Sequence, residues 1–149
     1  MAAAAAAADA PRESYTLRSL EEFRFEVEAQ ATATITLTSG SAEIFGAEMV
    51  TNKAYSFSGT QQAVFSWEGC TLEVEGSAGH CYVAAETPMT SYLQLQGELQ
   101  SMRDLAESSG GQGPCVLVAG PADTGKSSLS RLLANYLARS GHSGTLVDL

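Results

Sequence analysis

Gly120-Pro-Ala-Asp-Thr-Gly125-Lys126-Ser127 satisfies the pattern G-x-x-x-x-G-K-[ST] at every fixed position. Glycines are needed in such a loop because backbone N–H groups must turn inward around a β-phosphate, where Cβ atoms would obstruct them. Lys126 is then expected to reach the β- and γ-phosphates, and the Ser127 hydroxyl to take one place on Mg²⁺. The helix that starts here adds its positive dipole end to the anion site. The flanking sequence agrees. Cys115-Val-Leu-Val-Ala119 is a continuous apolar run of the kind found in a buried parallel strand. Lys126 to Ser140 reads as a helix with Leu129, Leu132, Leu133, Tyr136 and Leu137 on its buried side and Gly141 as its C′ residue. Thr145 to Leu149 begins a second apolar strand, which would complete a β-α-β unit.

Such a loop identifies a nucleoside triphosphate with Mg²⁺ as the ligand, read here as ATP, without identifying the reaction. Phosphoryl transfer also takes a second acidic Mg²⁺ ligand, a base and an arginine-bearing lid. Asp148 reads either as that acidic ligand or as a solvated strand-end carboxylate. Asp123 reads either as a solvated loop residue or as a helix N-terminal partner. A parallel sheet needs more than two strands, so residues 114–149 are expected to be the start of an incomplete nucleotide-binding domain.

Upstream, Ser108-Ser-Gly-Gly-Gln-Gly113 has the composition of a flexible linker. Before it, Met89, Tyr92, Leu93, Leu99, Met102 and Ala106 recur at helical spacing, with Thr87-Pro88 as the helix entry. That helix is either an element of the nucleotide site or a rigid connector. Residues 88–113 are thus a helix and linker. From Tyr15 to Ala84 the period changes to two: Phe23, Phe25 and Val27, then Ile35 with Leu37, Tyr55 with Phe57, Phe65 with Trp67, and Leu72 with Val74. Alternation of this kind marks half-buried antiparallel strands. Ser39-Gly40, Gly46, Ser58-Gly59, Glu68-Gly69 and Gly76-Ser77 supply the turns. Seven or eight short strands across residues 15–87 predict a small β-sandwich or barrel. Residues 1–14 read as a disordered or weakly helical, alanine-rich tail, lacking the basic start of a signal peptide and too short for a membrane span. The fold class is therefore mixed: an all-β sandwich, a helix, and the first β-α-β unit of a P-loop α/β domain, truncated.

Net charge is −9, and the eight basic residues are scattered, so no electrostatic footprint for nucleic acid is visible. An RNA substrate would need its main binding surface elsewhere. Cys70, Cys81 and Cys115 lack the spacing of a zinc or redox pair and read as inert buried thiols in a reducing compartment. His80 and His142 stand apart from any Asp or Ser constellation.

Several separated motifs then occur together in order: Glu22-Phe-Arg-Phe-Glu-Val-Glu28, Ala42-Glu-Ile-Phe-Gly-Ala-Glu48, Ala63-Val-Phe-Ser-Trp-Glu-Gly69, Tyr82-Val, Glu86-Thr-Pro-Met89 and Gly120 to Ser128. From Tyr15 to Leu149 the chain resembles the polynucleotide 5′-hydroxyl-kinase family, in the branch that forms the Clp subunit of the eukaryotic pre-mRNA cleavage complex. The resemblance implies an N-terminal β-sandwich, a central P-loop domain binding ATP and Mg²⁺, and a C-terminal domain. It implies a nuclear protein of the 3′-end cleavage and polyadenylation machinery, in some lineages an RNA 5′-hydroxyl kinase or a partner of the tRNA-splicing endonuclease, and in others an ATP-bound scaffold without kinase activity. It places Asp123, Thr124, Gly125, Lys126, Ser127 and Ser128 on the phosphate-contacting segment, and Glu22 on an acidic position that contacts the nucleoside. Where the family commonly has a lysine this chain has Gln61, which can hydrogen-bond but carries no charge. The family's acidic Mg²⁺ ligand would follow directly after Leu149, so the chain by itself is expected to be inactive as a kinase. An unrelated P-loop ATPase with a β-domain is the remaining alternative.

Overall fold

The computed structural model of the chain describes residues 12–147. They form two compact units. One holds the residues up to Ile44 with Glu48–Thr87, and the other holds Phe45–Ala47 with the residues from Pro88 onward.

The chain forms antiparallel strands: β1 (Arg12–Leu17), β2 (Glu21–Val27), β3 (Ala33–Gly40), β4 (Glu43–Ile44), β5 (Ala47–Glu48), β6 (Ala54–Phe57), β7 (Thr60–Ser66), β8 (Cys70–Gly76) and β9 (His80–Ala84). They pair into two sheets, of order β1-β8-β3-β6 and β5-β4-β7-β2-β9. The sandwich expected from the sequence is thus present. The nine strands among the described residues exceed the expected seven or eight because β4 and β5 have two residues each, too short to show any period. Phe23, Phe25 and Val27 of β2 meet Ala33, Ile35 and Leu37 of β3 and Leu72 and Val74 of β8 in one buried cluster. Aromatic rings run through it, with Tyr15 and Phe23 at 4.5 Å, Phe23 and Phe25 at 5.6 Å, and Phe25 and Phe57 at 5.1 Å between centroids. At the end of β7 the period of two fails, because Val64, Phe65 and Ser66 are all buried. Val64 joins the core, while Phe65 lies on the other face of the strand with Trp67 edge-on at 4.6 Å.

Strand β1 begins at Arg12, inside the stretch assigned to the tail; residues 1–11 lie outside those described. Arg12 stands opposite Glu75 in the ladder, and its guanidinium reaches Glu75 and, at 3.6 Å, Glu73. Cross-strand charge pairing of this kind extends a strand that hydropathy alone would not show.

Glu21, at the start of β2, accepts the backbone N–H of Arg18 at 2.8 Å and its Nε at 2.9 Å. The backbone N–H first, and the guanidinium with it, hold this carboxyl below its ordinary range. A carboxyl depressed in the folded state contributes stability that is present above its unfolded pKa and is lost as pH falls through the folded one. Glu21→Gln is therefore expected to lower the thermal midpoint at pH 7, with the deficit closing below about pH 4. Melting curves showing the same deficit at both pH values would refute this.

The second unit contains α1 (Met89–Ser109) and α2 (Lys126–Arg139), which pack on each other. Pro88 caps α1, as Thr87-Pro88 predicts, and Gly110 in the left-handed region ends it. The buried line on α1 is Met89, Gln96 and Leu99, whereas Leu93 and Met102, expected on the buried face, are exposed. The reason is a narrow contact: packing against α2 covers one line of the helix and leaves Leu93 and Met102 to solvent. On α2, Leu132, Leu133 and Tyr136 are buried, Leu129 and Leu137 half-buried, and Gly141 takes positive φ as the expected C′ residue.

The two strands expected to flank this helix are not formed among the described residues. Val116 and Leu117 are 46% and 79% exposed, and Leu146 and Val147 are 65% and 68% exposed. A parallel strand is held by ladder partners and by cover on both faces. Two short apolar runs supply neither, so the loop and helix of the β-α-β unit are present without its strands. Asp148 lies outside the described residues. No helix among those described is long and apolar enough to cross a membrane.

Candidate nucleotide site

The loop before α2 has the backbone its motif demands. Asp123 and Gly125 both take positive φ, at 59° and 81°. Asp is one of the few residues other than glycine that tolerates this region, which explains a short polar residue at position 123 where the sequence left two readings open. At Gly125 a Cβ would meet nothing within 4 Å, so glycine is required there by conformation rather than by space. At Gly120 a Cβ would crowd the Thr124 hydroxyl at 3.2 Å. That hydroxyl donates to the Pro121 carbonyl at 2.9 Å, and the Lys126 ammonium folds back onto the same carbonyl. Thr124 and Lys126 thus tie the loop to its own first turn.

Helix α2 has no side-chain cap, and the N–H of Leu129 makes the first 5→1 bond, to Gly125 at 2.9 Å. The N–H groups of Lys126, Ser127 and Ser128 come before it and have no partner within the helix. Ser127 and Ser128 are exposed, and Lys126 is half-buried. Free helix-terminal N–H groups, a lysine and a hydroxyl at one point make a donor set that fits a triphosphate with its Mg²⁺. Gly120, Asp123, Thr124, Gly125, Lys126, Ser127 and Ser128 are therefore brought together.

Glu22 belongs to the other unit. Strand alternation would leave it solvated, yet it is 5% exposed. Its carboxylate pairs with the Arg24 guanidinium and accepts a hydrogen bond from the Thr87 hydroxyl at 2.6 Å. Arg24 also donates to the Glu86 carbonyl at 3.0 Å, and the Tyr82 hydroxyl, followed by Glu22, holds its guanidinium above the ordinary range. Gln61 is exposed on β7 opposite Glu26, while Glu22 stands opposite Phe65. At about 3.4 Å per residue, Gln61 lies roughly 13 Å along the sheet from the row of Glu22, so these two are on one face but not adjacent. Sequence reading missed Arg24 and Thr87, which hold Glu22, and no local signal marks partners that come from a neighbouring strand residue and from a loop 65 positions away.

Of the cysteines, Cys70 is buried, Cys81 half-buried and Cys115 exposed. The burial expected of Cys115 fails with the strand that would have provided it. Burial pushes the thiols of Cys70 and Cys81 up.

An antiparallel sandwich in one unit and a P-loop opening a helix in the other define a nucleotide-binding protein of the P-loop class with a β-domain. Residues 16–106 match the family described as the N-terminal β-sandwich domain of polyadenylation factor, and residues 120–149 match the mRNA cleavage and polyadenylation factor CLP1 P-loop. The chain belongs to this family. It is 45% identical over 140 residues to the polyribonucleotide 5′-hydroxyl-kinase Clp1 of Xenopus tropicalis, covering 93% of this chain and 32% of that protein. It is 41% identical over 145 residues to the mRNA cleavage and polyadenylation factor clp1 of Botryotinia fuckeliana, covering 97% and 31%. The chain thus spans about a third of the length of these relatives. A solved complex of Clp1p with a Pcf11p segment superposes with a TM-score of 0.76 at 24% identity, over 88% of this chain and 30% of that one, and supports the fold.

Proposed function

We propose that this chain is the ATP-binding part of a nuclear subunit of the pre-mRNA 3′-end cleavage and polyadenylation machinery. The reading is carried by the intact P-loop on α2 within a chain that matches both sequence families of that factor. Lys126 would hold the β- and γ-phosphates, Ser127 would take a place on Mg²⁺, and the N–H groups of residues 126–128 would surround the phosphate oxygens. Mg²⁺, when bound, offsets charge on the phosphates. The family resemblance would give Glu22 a nucleoside contact, and its carboxylate is held by Arg24 and Thr87. Gln61, in place of a lysine, would contribute a neutral hydrogen bond at most.

Kinase relatives give the reaction class: transfer of the γ-phosphoryl group to an RNA 5′-hydroxyl, driven by positioning and charge neutralisation. RNA, the other cleavage-complex subunits and the tRNA-splicing endonuclease are the partners this reading implies. Transfer needs an acceptor site and a further acidic metal ligand, which the described residues do not supply. We therefore expect this chain to bind Mg²⁺-ATP and to transfer no phosphate to 5′-hydroxyl RNA. Equilibrium dialysis with labelled ATP and gel analysis of labelled RNA check both halves. Absence of Mg²⁺-ATP binding at millimolar nucleotide would overturn the reading, and transfer by this chain would overturn the expectation that binding and transfer are separable here.

A further inference from the structure

The turn between β4 and β5 is built against the rules for its geometry. Phe45 and Gly46 form a two-residue connection in which both take positive φ, at 48° and 75°. A hairpin turn with two positive φ values favours Asn, Asp or Gly at its first position, and a bulky aromatic residue in the left-handed region is an outlier. Strain of this kind persists only where the surroundings impose it. Here the surroundings are α2. The Asn135 side chain donates to the Phe45 carbonyl at 2.7 Å, and Arg139 donates to the Gly46 carbonyl at 2.9 Å. The Arg131 guanidinium lies over the Phe45 ring at 5.0 Å. Gly46 is buried, and a Cβ there would meet the Tyr136 ring at 3.1 Å and the Leu132 carbonyl at 3.3 Å. Residues 131, 132, 135, 136 and 139 lie on one face of the helix. One turn is therefore gripped along more than two helical turns of α2.

We propose that the Phe45–Gly46 turn is a positioning element for α2, and that Phe45 is a positioning residue on which nucleotide affinity depends. The apolar runs on either side of α2 form no ladder among the described residues, and α1 and this turn pack against the helix. Helix α2 carries Lys126 and Ser127 at its N-terminus, and a helix of this length moves as a rod. Loosening its far half displaces the phosphate donors at its start. The proposal rests on the P-loop being a nucleotide site, and its test separates the two ideas.

Phe45→Asn suits the turn better while removing the ring. In this chain it is expected to keep or raise the thermal midpoint of the sandwich, to speed amide hydrogen exchange along α2 without nucleotide, and to weaken Mg²⁺-ATP binding about three- to tenfold. Phe45→Tyr, which restores the ring, is expected to return exchange and affinity to the starting values. Arg131→Gln is expected to act through the same contact, so the double variant Phe45→Asn with Arg131→Gln should bind ATP no more weakly than Phe45→Asn alone. Unchanged α2 exchange in Phe45→Asn, or single losses that multiply in the double variant, would overturn the proposal. If the unmodified chain and Lys126→Ala alike bind no ATP, the nucleotide reading falls, and the exchange measurements still decide whether the turn holds the helix.

Discussion

Lys126→Ala is expected to weaken Mg²⁺-ATP binding by about tenfold to a hundredfold, the worth of a charge-assisted hydrogen bond to phosphate. Lys126 stands on the first residue of α2, and its partner in the structure is the Pro121 carbonyl, so the substitution removes a loop contact and no core packing. Circular dichroism and the thermal midpoint should therefore stay close to those of the parent chain. Lys126→Arg is expected to restore little, because a planar guanidinium presents its donors differently from a compact ammonium. Titration with a fluorescent ATP analogue, with and without Mg²⁺, measures the loss. Equal affinity in the parent and Lys126→Ala would remove this lysine from the phosphate site.

The second large effect concerns the sandwich. Phe23 is fully buried between Tyr15 and Phe25, and Phe23→Ala is expected to cost about 3–5 kcal/mol, the transfer term of the lost ring plus the cavity left behind. Native stabilities run to about 5–15 kcal/mol, so much of the folded population would be lost near body temperature. Urea unfolding can be followed through Trp67, the sole tryptophan of the chain. A shift below about 1 kcal/mol would mean that the surrounding rings close over the gap, and that Phe23 is not central to the core.

How much of this was visible in the residues themselves depended on the range of the interaction. Strands β2, β3 and β8 announce themselves by alternation, because one face of each meets the core and the other does not. The P-loop is legible for a stronger reason: backbone conformation, glycine and lysine requirements all fall within eight consecutive positions. Burial of Glu22 was not legible, since it depends on Thr87 and Arg24 closing over a strand position that alternation assigns to water. Nor was the grip of α2 on Phe45 and Gly46, whose bonds join residues 90 and 93 positions apart. The apolar run 115–119 forms no strand among the described residues for a related reason. Local hydropathy reports what a segment would do with neighbours, and strand pairing depends on whether neighbours are there.

The exposed thiol of Cys115 sits five positions before Gly120, while Cys70 is sealed in the core and Cys81 is half-covered. A brief treatment with a maleimide dye should thus label one position ahead of the others, and that position adjoins the phosphate loop. Fluorophore emission from the labelled chain would give a direct optical readout of nucleotide arrival, with no engineered cysteine required.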